Sequence, residues 1–89
     1  MAWRVELDPA AERELDALDP QTARRILTFL HSRVAMLDDP RSIGEALKGS
    51  RLGEFWKYRV SDYRILSSIE DGALRILVVK IGNRREVYR

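Results

Sequence analysis

The sequence predicts an α+β fold, as one domain over residues 1–89, and three observations predict it. Every proline follows an aspartate, at Asp8-Pro9, Asp19-Pro20 and Asp39-Pro40. Between residues 9 and 37 the apolar side chains recur at helical spacing. From Phe55 onward that period drops to two, the spacing of a strand with one buried face. Helices come first, then strands, and the helices should cover one face of an antiparallel sheet.

Trp3 to Leu7 (WRVEL) alternates apolar and charged residues and reads as a first, half-buried strand. Aspartate is a good N-cap and proline suits the first helical position, so each Asp-Pro pair can start a helix. Pro9–Leu18 is expected to form a short helix with Ala11, Leu15 and Leu18 on one face. Pro20 to about Leu37 forms a longer one, with Ala23, Ile26, Leu27, Leu30, Val34 and Leu37 in phase. Residues 38–53 read as a loop broken by Gly44, Gly49 and Gly53, with Ala46-Leu47 as an anchor. Phe55–Val60, Tyr63–Glu70 and Ala73–Ile81 then form three strands. They are joined by turns at Ser61-Asp62 and Asp71-Gly72, the latter a strong two-residue hairpin signal.

Composition narrows the chemistry. The chain has no cysteine, which excludes disulfides, thiolate metal sites and thiol nucleophiles and suits a cytoplasmic location. No apolar run approaches the roughly 18 residues of a membrane span, and no signal-peptide pattern opens the chain, so no membrane partner is expected. The net charge of +2 is unevenly spread: residues 1–44 carry six Lys/Arg against eight Asp/Glu, residues 45–89 ten against six. A polyanion would be drawn to the C-terminal half.

Cross-strand partners share a face. A turn at Ser61-Asp62 pairs Arg59 with Arg64 and Lys57 with Leu66. A turn at Asp71-Gly72 pairs Glu70 with Ala73, Ser68 with Arg75, Leu66 with Leu77 and Arg64 with Val79. One face then holds Trp56, Tyr58, Val60, Tyr63, Ile65, Ile69, Leu74, Ile76 and Val78, the expected core side. The other holds Lys57, Arg59, Arg64 and Arg75 among Leu66, Leu77 and Val79. Arginine opposite arginine opposes folding unless something neutralises the pair, and phosphate oxygens match the guanidinium fork. The last strand leaves the sheet beside Asp62, so Gly82-Asn83-Arg84 is expected to converge on the same patch.

Two runs, "LKGSRLGEFWKYRVSDYRIL" and "VKIGNRREVYR", together with the order strand–helix–helix–meander, resemble the RelE/ParE superfamily of bacterial toxin–antitoxin toxins, and its RelE branch most. The resemblance spans essentially the whole chain. It implies a toxin that cleaves mRNA in the ribosomal A site, held inactive by a cognate RelB-like antitoxin. Operator DNA would be met only through that antitoxin, and no cofactor or metal would be needed. By the same resemblance Lys57 and Arg59 match a basic pair on a sheet strand, Arg64 the arginine at the scissile phosphate, Arg84 the arginine after the last strand's glycine, and Tyr88 the C-terminal tyrosine. Lys48, Arg75, Asn83 and Arg85 are further candidates for contact with RNA. Asn83 stands where many relatives carry His or Lys; it can hydrogen-bond but cannot carry a charge.

Two other functions compete. ParE-branch toxins share the fold but act on DNA gyrase by protein contact and lack the basic set. A toxin without cleavage could act only as an antitoxin-bound co-repressor. His31, the sole histidine, reads as a residue of the helix flank, and Trp56 as a core residue.

Overall fold

The computed structural model describes residues 3–47 and 55–85. Each Asp-Pro pair does start a helical segment. Asp8 caps α1 (Pro9–Asp16) and accepts the Ala10 N–H at 3.2 Å. Asp19 caps α2 (Pro20–Phe29), accepting the Thr22 N–H at 3.0 Å and the Thr22 hydroxyl at 2.6 Å. Asp39 caps a 3₁₀ turn, Pro40–Ser42, through the Arg41 N–H at 3.0 Å.

The predicted long helix is interrupted. α2 passes into a π turn, Leu30–Val34, closed by the Ala35 N–H donating to the Leu30 carbonyl at 2.9 Å. The wider turn keeps Leu30, Val34 and Ala35 all buried, while Met36 is left exposed.

A five-stranded sheet carries these helices, in the order β1 (Arg4–Leu7), β5 (Arg75–Asn83), β4 (Tyr63–Glu70), β3 (Phe55–Val60), β2 (Glu45–Ala46). β1 runs parallel to β5, so the meander of the sequence reading becomes a mixed sheet. β2 is a two-residue strand inside the segment expected to be loop. The core lies between the helices and one sheet face and gathers Trp3, Ala11, Leu15, Ile26, Leu30, Tyr58, Ile65, Ile76 and Val78. Tyr58 is fully buried and donates its hydroxyl to the Pro40 carbonyl at 2.7 Å; burial pushes its pKa upward.

The first hairpin has the expected register, Val60 opposite Tyr63 and Arg59 opposite Arg64. Ser61 takes the left-handed conformation (φ 55°) that a tight turn requires. The second hairpin corrects the sequence reading. Asp71–Ala73 forms a 3₁₀ turn and Leu74 follows in the left-handed region (φ 49°, ψ 48°), so the connection has four residues rather than two. Glu70 therefore pairs with Arg75, not Ala73, and Leu74 is exposed instead of joining the core. The turn is held from both sides. Leu74 N–H donates to Asp71 at 3.1 Å, and the Leu74 carbonyl accepts Arg4 N–H at 2.8 Å.

A bulge at Val79 adds one more step, because Ser67 pairs with Val78 and Leu66 with Lys80. A one-residue slip exchanges the two faces of a strand. Beyond Val79, Ile81 is therefore buried, Lys80 stands in register with Leu66, and Gly82 replaces the expected Val79 opposite Arg64.

Candidate functional site

The site is built on the Ser61-Asp62 turn and the two strands it joins. Arg59 and Arg64 face each other across β3 and β4. Arg59 is exposed, and among the described residues its side chain makes no ion pair. Arg64 is 9% exposed, because its Nη1 turns back to donate to the Ser61 carbonyl at 3.2 Å and the Tyr63 carbonyl at 3.0 Å. Those acceptors are neutral carbonyls of the turn itself, so the turn fixes the guanidinium without an ion pair.

The end of β5 comes to the same place. Tyr63 pairs with Asn83 and Arg64 with Gly82, and the Arg84 N–H donates to the Asp62 carbonyl at 2.9 Å. Arg59, Arg64 and Arg84 thus converge at one end of the sheet. Asn83, in register with Tyr63, accepts the Arg85 N–H through its Oδ1 at 3.0 Å. Its amide oxygen shapes the turn that presents Arg84 and Arg85, a role that lysine, which has no acceptor, could not fill.

Lys57 lies two residues before Arg59 on the same face, in register with Glu45 on one side and Leu66 on the other. Its Nζ is 3.2 Å from Glu45 Oε2. Sequence reasoning missed Glu45, because a two-residue strand beside a glycine shows no alternation to detect. It missed Lys80 for another reason: only the bulge puts Lys80 beside Leu66.

Arg75 is not brought to this cluster. It sits opposite Glu70, six residues along β4 from Arg64, or about 20 Å at strand spacing. There it binds the Glu70 carboxylate through Nε and Nη2 at 3.1 and 2.6 Å, and Glu6 through Nη1 at 3.0 Å. Hydrogen bonding to Glu70, then to Glu6, raises the Arg75 pKa. Tyr88 and Lys48 lie outside the described residues. The described residues contain no group of three or more His, Cys, Asp or Glu side chains able to hold a metal, and no described helix is long and apolar enough to cross a membrane.

A family model, "ParE toxin of type II toxin-antitoxin system, parDE", matches residues 5–88. Toxin RelG of Mycobacterium tuberculosis is 25% identical over 89 residues, covering 100% of this chain and 99% of that protein. Toxin RelE of the same organism is 28% identical over 87 residues, covering 98% of this chain and 87% of that protein. Among solved structures, the toxin–antitoxin complex RelBE2 from M. tuberculosis contains a chain that superimposes with a TM-score of 0.84 at 21% identity, over 97% of this chain and 95% of that one. The class is then a small α+β toxin of a type II toxin–antitoxin system. The chain belongs to the ParE toxin family of the RelE/ParE superfamily, and its curated relatives are toxins of the RelE kind.

Proposed function

We propose that this toxin is a metal-independent endoribonuclease that cuts mRNA in the ribosomal A site and so stops translation in the cytoplasm. The observation that carries the proposal is the facing pair Arg59 and Arg64 with Arg84 beside it. A like-charge pair opposes folding, and a phosphodiester passing over it supplies the missing negative charge.

The reaction uses the RNA's own 2′-OH. Its oxygen attacks the adjacent phosphorus, the bond to the 5′-oxygen breaks, and the products are a 2′,3′-cyclic phosphate and a free 5′-OH. Arg64 and Arg59 stabilise the phosphorane. Arg64 is suited to this because Nη1 is already anchored to carbonyls, leaving Nε and Nη2 as donors for the phosphate. Lys57 acts in proton removal with Tyr88: its Nζ, 3.2 Å from Glu45 Oε2, passes a proton to that carboxylate as it takes the one from the 2′-OH. Arg84 supports the leaving 5′-oxygen electrostatically, and a water molecule supplies the proton that makes it the 5′-OH. DNA has no 2′-OH and is not a substrate.

A RelB-like antitoxin is the proposed inhibitor, in keeping with the complex named for the structural neighbour. An antitoxin segment would neutralise the same cations, and operator DNA would be met through the antitoxin alone. The test is expression of the wild type and of Arg64→Ala/Arg84→Ala, followed by primer extension on translated mRNA. Ribosome-dependent cuts that vanish in the double variant support the proposal. Undiminished toxicity in that variant, with inhibited DNA supercoiling, would transfer the protein to the gyrase-directed branch.

A further inference from the structure

β2 stops short. It covers β3 only at Trp56 and Lys57, because the chain turns away at Gly44, whose φ is +91°. A Cβ there would stand 2.6 Å from the Lys57 carbonyl and 2.7 Å from the Trp56 indole nitrogen, so this wall can be made only of bare backbone. The Trp56 Nε1 locks it by donating to the Ile43 carbonyl at 2.8 Å. Beyond it a cavity of about 370 Å³ opens around the edge of β3, between that wall and Phe29 and Arg33 of the helical layer. Tyr58 and Glu45, the latter paired with Lys57, also line it, and Lys57 and Arg59 join it to the cationic face.

Its chemistry is mixed. Phe29 is fixed edge-on to Tyr58 with ring centroids 6.1 Å apart, and with Ile43 supplies an apolar side. Arg33 is exposed on the π turn, and among the described residues its side chain has no ion-pair partner. The Phe55 carbonyl accepts Leu47 N–H on the β2 side. By strand alternation the Arg59 N–H and C=O point to that same side, where β2 no longer covers them. An apolar side, a backbone donor–acceptor pair and two arginines, with the Glu45 carboxylate taken up by Lys57, form a set that accepts one nucleotide: base, base edge and phosphate.

We propose that this cavity is a subsite for the nucleotide next to the cleaved phosphate, with Arg33 holding its phosphate and Phe29 and Ile43 contacting its base. The inference rests on the ribonuclease reading above. It extends substrate contact from the sheet residues that carry the chemistry, Lys57 and Arg59, to Phe29 and Arg33 of the helical layer.

A 2′-O-methylated RNA trinucleotide, which cannot cyclise, is the probe. In amide-resolved NMR titrations of the intact protein, the signals of Gly44 and Arg59 should shift together with that of Arg64. Arg33→Ala should weaken binding about tenfold, the scale of one charge-assisted hydrogen bond, with partial recovery in Arg33→Lys. On ribosomes, the Arg33→Ala loss should fall on KM rather than kcat and alter the preferred base beside the cut. Shifts confined to Arg59, Arg64 and Arg84, with Arg33→Ala binding as the wild type does, would overturn the subsite and leave the ribonuclease reading standing. No trinucleotide binding at all, with no ribosome-dependent cuts by the wild type either, would overturn both.

Discussion

Glu14 reaches from α1 to the last strand of the sheet, where its Oε1 accepts the Ile81 N–H at 3.1 Å. β1 lies alongside β5 only as far as Val78, so past the bulge the outer edge of β5 has no strand to receive its donors. The carboxylate takes that place, and it does so three residues before Arg84.

Replacing Glu14 by Ala should leave a part-buried N–H without a partner, at a cost of about 1–2 kcal/mol. For a domain of this size that corresponds to roughly 4–16 °C in melting temperature. Hydrogen exchange at Ile81 should accelerate more than at Ile65, its partner in β4. Equal acceleration at both would mean that Glu14 supports the fold as a whole rather than this edge.

Arg59→Gln should separate stability from activity. Removing one of two facing like charges should stabilise the hairpin by about 0.2–1 kcal/mol at low salt. The gain should shrink as salt screens the pair. Cleavage in translated mRNA should fall at the same time. A variant both less stable and fully active would show that the pair is not the site.

Gly44→Ala should be severe for a surface position. The left-handed φ of +91° strains any side chain, and the new methyl meets the Lys57 carbonyl, which cannot easily retreat from its strand. A loss of about 1–3 kcal/mol is expected in chemical denaturation. Glu45 should lose its grip on Lys57 as the wall shifts, which a change in the Lys57 side-chain NMR signals would report.

Acid should weaken the far end of the sheet. The Arg75 hydrogen bonds hold the Glu70 carboxyl below its ordinary 4.5, and those from Arg41 hold Asp71 below 3.8. Folded pKa values below unfolded ones mean stability that is fully present above the unfolded values and lost as pH falls through the folded ones. Denaturation midpoints should therefore be level from neutrality to about pH 5 and decline below. Arg41→Met and Arg75→Met should flatten that decline; both ion pairs are reached by solvent, so salt should flatten it too.

Much of this protein was readable without coordinates, wherever the decisive interactions were local. An aspartate three residues or fewer from the amide it caps needs nothing else, and each Asp-Pro pair behaves as expected. A two-residue turn sets its own register, which is why Arg59 opposite Arg64 could be read from the sequence. The second hairpin depends on distant partners. Leu74 is held left-handed by a turn that also receives Arg4, and Glu70 pairs with Arg75 where Glu6 of β1 completes the ion cluster. The bulge at Val79 falls where β1 ends, and Glu14 of α1 binds just past it. Only the tertiary structure could decide those contacts, because each joins segments far apart in the chain. They turn Ile81 inward and set Gly82 against Arg64, whereas the arrival of Arg84 beside Asp62 was already expected from the order of the strands.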